Sequence, residues 1–256
     1  MLMLYFSGTG NSKYIATEFA LKMGADCYSI EDNADFAELL AATDTVAVCY
    51  PIYGSCVPRI MRDFAVRHSA ALHEKKLIIF CTQMMFSGDG ARAFARLLTG
   101  CDSHVIYAEH FNMPNNISNF WLFPVREGER VRKQKAADRK LDIVCQDIKS
   151  GIVKRRGWSG FSALLGKLQN TYWLNIEEKK RGSFAADSDC NRCGLCVRRC
   201  PVGNLELSGQ GIVQKNNCIL CYRCVNLCPQ KAATVMLHAK PKAQYKGIVP
   251  ERETIK

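Results

Sequence analysis

The 256-residue chain has no long apolar run and few histidines. No stretch approaches the roughly 18 consecutive apolar residues that a transmembrane helix needs, so we expect no membrane span. The N-terminus is apolar but short. It lacks the basic region and small-residue cleavage site of a signal peptide, so we expect a cytoplasmic protein. The five histidines are scattered, and no Ser/His/Asp or Cys/His set is recognisable, so we predict no catalytic residue.

The positive charge lies in the second half of the chain. Residues 1–125 hold nine Lys/Arg and twelve Asp/Glu, a net of −3, and residues 126–256 carry the remaining +14 of the net +11. A basic half raises nucleic acid as a partner. No recognised nucleic-acid motif is present, and metal-bound thiolates would offset much of the charge, so we predict no nucleic-acid partner. The break in charge favours two modules with different surfaces.

Short apolar runs alternate with helical patterns over the first 125 residues. The predicted strands are Leu2–Phe6, Cys27–Ile30, Thr45–Cys49, Leu77–Cys81 and His104–His110. The predicted helices are Ser12–Gly24, Asp35–Ala42, Val57–His68 and Ala91–Leu98. Five strands alternating with helices indicate an α/β fold with a doubly wound parallel sheet. Ligands of such sheets bind at the carboxyl ends of the strands.

The rest of the chain divides into further segments. Residues 126–156 contain an amphipathic helix, and its basic positions form either a solvated face or a docking surface. Residues 157–183 are helical and too apolar for a free linker, so we expect them to pack between modules. The predicted boundaries are 1–150 for the first domain, 151–183 for a connector, 184–237 for a cysteine-rich domain and 238–256 for a polar tail.

A small polar loop follows the first predicted strand. It runs Ser7-Gly8-Thr9-Gly10-Asn11-Ser12 and opens the first helix. Two glycines allow a tight turn that presents N–H groups, hydroxyl and amide side chains add donors, and a helix start favours an anion. The loop suits a terminal phosphate monoester. The alternative is an ordinary strand–helix turn.

This loop resembles the FMN-phosphate loop of flavodoxins, which implies a five-stranded sheet in the order 2-1-3-4-5 with FMN at its carboxyl edge. Tyr50-Pro51-Ile52-Tyr53-Gly54 resembles the first flavin-flanking loop, where Tyr53 or Tyr50 would face the isoalloxazine ring. The stretch 82–88 takes the position of the second loop, although Met84, Met85 and Phe86 replace its usual polar residues. The implied FMN contacts are Ser7, Thr9, Gly10, Asn11, Ser12, Pro51, Ile52, Tyr53, Gly54, Thr82, Gln83, Met84, Asn112 and Met113.

Eight of the fourteen cysteines form two runs with identical cysteine spacing. The first is Cys190-x2-Cys193-x2-Cys196-x3-Cys200-Pro201, and the second repeats it 28 residues later from Cys218 to Pro229. Zinc is the alternative metal, but a structural zinc ion takes four protein ligands, usually from two separated pairs. A third evenly spaced cysteine and a trailing Cys-Pro, both repeated, favour [4Fe–4S] clusters. Most of the other six cysteines lie in apolar segments, where we expect them to pack.

These runs resemble those of bacterial two-cluster ferredoxins, in which the fourth cysteine of each run ligates the cluster of the other run. The resemblance covers about residues 184–237 and implies a small α+β domain with two clusters. One cluster would take Cys190, Cys193, Cys196 and Cys228. The other would take Cys218, Cys221, Cys224 and Cys200.

The whole chain thus resembles flavodoxin–ferredoxin fusion proteins of anaerobes. The first hypothesis is an electron-transfer protein that moves electrons between two clusters and FMN and serves ferredoxin- or flavoprotein-type partners. The second is an FMN-dependent reductase of a small organic acceptor, fed by its own clusters. The third is a scaffold that has lost its flavin. We favour the first.

Overall fold

The structure is a computed structural model that describes residues 1–98, 104–120, 122, 124–209 and 211–248. Its centre is a six-stranded, entirely parallel sheet in the order β2-β1-β3-β4-β5-β6. The strands are β1 Leu2–Tyr5, β2 Asp26–Ser29, β3 Thr45–Pro51, β4 Lys76–Gln83, β5 Val105–Asn112 and β6 Lys154–Arg155. The predicted α/β fold and its 2-1-3-4-5 order are confirmed, with one short edge strand added.

Helices cover both faces of the sheet because neighbouring strand residues point to opposite sides. Leu2 and Leu4 belong to one hydrophobic core, and Met3 between them belongs to the other. The first core packs under α2 Phe36–Ala41, α3 Arg59–Arg67, α4 Ser69–His73 and α5 Gly90–Ala95. The second core packs under α1 Asn11–Met23 and α6 Glu127–Lys149.

The sequence patterns place these elements well, with small differences. Strands β3, β4 and β5 each run two residues further than predicted at their carboxyl ends, into the loops that line the cleft. Helix α4 was not predicted. Strand β6 was not predicted either, because two basic residues, Lys154 and Arg155, carry no strand pattern.

The cysteine-rich region forms a small unit of its own. It contains α8 Leu195–Arg198, α9 Arg223–Leu227 and two antiparallel strand pairs. The pairs are β7 Ala185–Ala186 with β10 Ala233–Thr234, and β8 Leu205–Ser208 with β9 Gly211–Gln214. Its few buried apolar side chains form a third core. So small a core supplies little stability, and cluster binding would add most of it.

Helix α7, Gly160–Lys179, bridges the two parts of the molecule. It crosses the loop after β4 at Gly88 and Gly166, where a Cβ atom on Gly88 would lie 2.6 Å from the Ser162 carbonyl oxygen. Further along, Trp173 packs on the third core. The prediction that this segment packs between modules describes one face only, because the opposite face is exposed over Phe161, Leu164, Leu168 and Tyr172. None of the helices in the described part of the chain is long and apolar enough to cross a membrane.

The last described residues of the polar tail, 245–248, pack on the first domain, whereas residues 249–256 lie outside the described part of the chain. Tyr245 is buried, and its hydroxyl donates a hydrogen bond to the Asn11 side-chain oxygen. Ile248 joins the second core of the sheet. The amino-acid pattern of the tail gives no indication of this arrangement.

Candidate cofactor sites

A cleft of about 320 Å³ lies at the carboxyl ends of β1, β3 and β4. Its walls come from the three loops that follow these strands, from the segment after β5, from α7 and from the second cysteine run. The lining includes Ser7, Gly8, Thr9, Asn11, Ser12, Pro51, Ile52, Tyr53, Gly54, Thr82, Gln83, Met84, Met85, Phe86, Pro114, Asn115, Asn116, Ile117, Gln169, Trp173, Leu220 and Tyr222. The structure therefore brings together eleven of the fourteen predicted FMN contacts.

The polar loop after β1 has the geometry of an anion site. Gly10 adopts φ 106°, a left-handed conformation that favours glycine, and its N–H donates to the Ser7 hydroxyl at 3.0 Å. Ser12 and Thr82 share a hydrogen bond of 2.8 Å between their hydroxyls, which ties the loop to β4. The 13-residue helix α1 begins at Asn11, so its positive end faces the loop. Gly10 itself lies on the outer side of the loop, away from the cleft.

The loop after β3 distinguishes its two tyrosines. Tyr50 is fully buried in the first core, and its hydroxyl donates to the Gly90 carbonyl at 2.9 Å. Tyr53 lines the cleft, and its buried hydroxyl has no hydrogen-bond partner among the described residues. Burial raises the pKa of Tyr53 well above its ordinary value, so the phenol stays protonated and can donate to a ligand. Of the two candidates, only Tyr53 is placed to meet a flavin.

The loop after β4 is held from behind by α6. Lys133 donates to the Met84 carbonyl at 2.8 Å and to the Met113 carbonyl at 3.1 Å, so one ammonium group ties two loops together. Asn112 and Met113 do not reach the cleft. Asn112 accepts a hydrogen bond from Gln83 at 2.8 Å, and Met113 is buried in the second core. The next residues, from 114 to 117, form that wall instead.

Four cleft residues come from segments far from these loops in sequence. Gln169 and Trp173 come from α7, and Leu220 and Tyr222 come from the second cysteine run. Trp173 belongs to a stretch whose apolar, helical pattern predicts packing, and the reductase hypothesis places aromatic residues of 158–173 beside the flavin. Leu220 and Tyr222 lie between cysteines of the second run. The cysteine spacing predicts the metal ligands and nothing about the residues between them.

The cleft suits FMN. It combines a polar loop at a helix start, an unpartnered buried phenol and apolar walls from Ile52, Trp173 and Tyr222. A phosphate fits the first feature, and a flat aromatic ring fits the others. When bound, FMN accepts or donates one or two electrons.

The eight run cysteines line two separate cavities. One cavity is lined by Cys190, Cys193, Cys196 and Cys228, which we call the outer set. The other is lined by Cys200, Cys218, Cys221 and Cys224, the inner set. Each set takes three thiols from one run and the fourth from the other, as the ferredoxin resemblance implies. Among the described residues, no group of three or more His, Cys, Asp or Glu side chains is placed to hold a single metal ion.

The two sets differ in exposure. Cys193 of the outer set is exposed, whereas Cys221 of the inner set is buried. Burial raises the pKa of the Cys221 thiol to about 12, so a thiolate there requires the positive charge of bound iron. The donor set of four cysteines fits a [4Fe–4S] cluster in each cavity.

The inner set and the FMN cleft share a wall. Tyr222 lines both cavities, and Cys221 belongs to the same core as β1 and β3. A Cβ atom on Gly8 would lie 2.5 Å from the Cys221 carbonyl oxygen, so the phosphate loop and the cysteine run touch through their backbones. The two cofactor sites are therefore neighbours.

A buried histidine supports the cleft from below. Ser87 donates to the Gln83 side-chain oxygen at 2.5 Å, and the His110 Nδ1 atom lies 3.4 Å from the same hydroxyl. The His110 Nε2 atom accepts the Ala91 N–H at 3.1 Å, so the imidazole is neutral. Burial, with a smaller contribution from Arg156, lowers the pKa of His110 to about 4.

This pKa shift predicts acid sensitivity. His110 has an ordinary pKa near 6.5 when unfolded, so protons favour the unfolded chain below that pH, and the contribution to stability falls between pH 6.5 and 4. This contribution to the free energy of unfolding amounts to roughly 3 kcal/mol over the full range. Between pH 7.5 and 5.5, the free energy of unfolding of His110→Gln should therefore fall by about 1 kcal/mol less than that of the parent, measured by denaturant unfolding.

An equal loss of unfolding free energy in the parent and in His110→Gln would contradict this prediction. The neighbouring carboxylate of Glu109 does not contribute to the difference. Burial raises its pKa, but the His110 N–H, Lys140, Arg156 and Lys154 together hold that pKa below its ordinary value. Glu109 therefore stays ionised across the tested range.

Comparisons with known proteins agree with both sites. The flavodoxin domain model matches residues 2–119, and the 4Fe-4S binding domain model matches residues 187–203 and 215–234. No curated protein matches the chain. These matches define a redox protein in two parts. The chain joins a flavodoxin domain to a 4Fe-4S binding domain, with FMN as the cofactor of the first part and iron–sulfur clusters as those of the second.

Solved structures similar to the chain include three flavodoxins. The two-electron reduced Megasphaera elsdenii flavodoxin is 22% identical, with 54% of this chain and 99% of that chain covered and a TM-score of 0.39. The Streptococcus pneumonia TIGR4 flavodoxin is 20% identical, with 56% and 97% covered and a TM-score of 0.32. The flavodoxin, WrbA-like protein from Agrobacterium tumefaciens is 18% identical, with 57% and 96% covered and a TM-score of 0.34.

Proposed function

We propose that this protein carries electrons along one internal path, from a [4Fe–4S] cluster in the outer set, through a second in the inner set, to FMN in the cleft. The observation that supports this order is the shared wall, because Tyr222 lines both the inner cavity and the cleft. Each cluster passes one electron, and FMN connects one-electron with two-electron chemistry.

The exposure of the cysteines indicates which cluster would exchange electrons with external partners. The outer set includes the exposed Cys193, whereas Cys221 of the inner set is buried and the other inner thiols are half-buried. A redox protein could therefore approach the outer cluster from solvent, while the inner cluster serves the cleft. The proposed partners are ferredoxin- or flavoprotein-type carriers that dock near Cys193.

The size of the cleft favours a carrier over a reductase. Ligand pockets span roughly 300 to 1,000 Å³, and this cleft, at about 320 Å³, lies at the lower end. It has room for one ligand of flavin size. A reductase would need further space beside the ring for its organic acceptor, and a cleft of about 320 Å³ leaves little beyond one such ligand.

Rapid mixing of the loaded protein with a one-electron reductant tests the proposal. In the parent, the flavin absorbance should bleach in a phase whose rate does not depend on protein concentration. In Cys200→Ser, which lacks an inner-set ligand, that phase should disappear. A phase that survives in Cys200→Ser, or a rate that rises with protein concentration, would contradict an internal path.

A further inference from the structure

We infer that the two cofactor sites are energetically coupled through Arg223, so that a cluster in the inner set strengthens FMN binding. The inference requires the inner cluster of the proposed function but no electron transfer. It implies an order of assembly in which iron–sulfur loading precedes stable flavin binding.

Arg223 joins three parts of the chain. Its guanidinium donates to the carbonyls of Ser7 at 2.8 Å and Gly8 at 3.1 Å, both in the phosphate loop. It also donates to the Arg199 carbonyl at 3.2 Å, next to Cys200 in the first cysteine run. A bidentate pair with Glu31, at 2.8 and 2.7 Å, fixes its plane at the end of β2. Arg223 itself lies between Tyr222 and Cys224 of the second run.

These contacts set the direction of the phosphate-loop peptides. A trans peptide is planar, and its C=O and N–H point in opposite directions. Since Arg223 draws the Ser7 and Gly8 carbonyls toward itself, the N–H groups of Gly8 and Thr9 point away from it. Arg223 lines the groove on the outer side of the loop, whereas Gly8 and Thr9 also line the cleft. These hydrogen bonds, which we call the Arg223 clamp, therefore favour the direction of the loop N–H groups that a phosphate requires.

The position of Arg223 depends in turn on the cysteine run. Helix α9 has only five residues, and the run around it has little core of its own. Iron bound to Cys221 and Cys224, on either side of Tyr222 and Arg223, would hold this segment in place. Without iron, the segment that carries Arg223, Leu220 and Tyr222 loses its fixed position, and the cleft loses both the clamp and a wall. A ligand-held contact of this kind couples two binding equilibria reciprocally.

Only arginine can make this set of contacts. Five donors in one plane reach three carbonyls and a carboxylate, whereas a lysine ammonium offers three donors at one point. Its side chain is also only 17% exposed, so solvent does little to weaken these bonds. Arg223→Lys keeps the charge but should break the connection between the runs and the loop.

The test is an FMN titration by quenching of flavin fluorescence, with iron and sulfide measured on the same samples. The parent with both clusters should bind FMN about tenfold or more tightly than Cys200→Ser, which lacks the inner cluster. Arg223→Lys with full iron content should bind as weakly as Cys200→Ser. Arg192→Lys is the matched control, since its side chain donates to the Gly209 carbonyl and to no other described residue, and it should bind like the parent.

Two results would overturn the inference. One is equal FMN affinity in the parent and Cys200→Ser. The other is parent-like affinity in iron-replete Arg223→Lys. A variant that loses only the outer cluster, Cys190→Ser, should bind FMN like the parent, and weak binding there would assign the effect to general unfolding of the cysteine-rich unit. Because every readout is binding, these results stand whether or not the rapid-mixing experiment reveals an internal electron path.

Discussion

Replacing Cys190 and Cys228 together by serine should remove only half of the iron. Both thiols line the outer cavity although they belong to different runs, so the double variant damages one cluster and leaves the inner set intact. Iron and sulfide analysis should give half of the parent content, and the remaining cluster should show an undisturbed EPR signal on reduction. FMN binding should persist, because the inner set alone adjoins the cleft.

The matched control keeps the Cys190 substitution and replaces Cys200 instead of Cys228. Cys190→Ser with Cys200→Ser combines two thiols of the same run that line different cavities, so it should damage both clusters and leave little iron. Ligation within each run would give the opposite pair of results, with little iron in the first double variant and half in the second. The two measurements together therefore decide between crossed and uncrossed ligation.

Gly8→Ala should weaken FMN binding strongly by separating the two modules. The new methyl group would lie 2.5 Å from the Cys221 carbonyl oxygen and 3.2 Å from the Tyr53 hydroxyl, and the first of these contacts cannot be relieved without moving backbone. The phosphate loop and the inner cysteine run must move apart. We expect FMN affinity to fall by roughly 100-fold, a loss of about 3 kcal/mol, measured by fluorescence titration.

Gly128→Ala is the control for this substitution. A Cβ atom at Gly128 meets nothing within 4 Å in the described structure, and alanine in a helix is favourable. That variant should bind FMN like the parent. Normal binding by Gly8→Ala would contradict the close approach between the loop and Cys221.

The sequence predicted the parts of this molecule whose signals are local. Alternating apolar runs predicted the sheet, because each strand is buried on both faces and needs little outside information. The spacing of Ser7–Ser12 and of the two cysteine runs predicted the polar loop and the thiol sets, since each motif is short. Tyr53 was predicted only as one of two candidates, and the burial of Tyr50 in the core distinguishes them.

The rest depends on contacts between distant segments. Trp173 and Tyr222 become cleft residues only because α7 and the second cysteine run pack against the loops of the sheet. Arg223 looks like one basic residue among many until Glu31 and the phosphate loop surround it. Asn112 and Met113 miss the cleft because β5 continues through Asn112, two residues beyond the predicted end of that strand at His110.

The contact between Tyr245 and Asn11 has a consequence for synthesis on the ribosome. Tyr245 follows Asn11 of the phosphate loop by 234 positions, and Arg223 follows Ser7 by 216. At about 5 to 20 residues per second, the loop waits roughly 10 to 50 seconds for these partners. Until these residues are made, the flavin pocket lacks both contacts. Stable flavin retention therefore depends on segments that are synthesised long after the sheet.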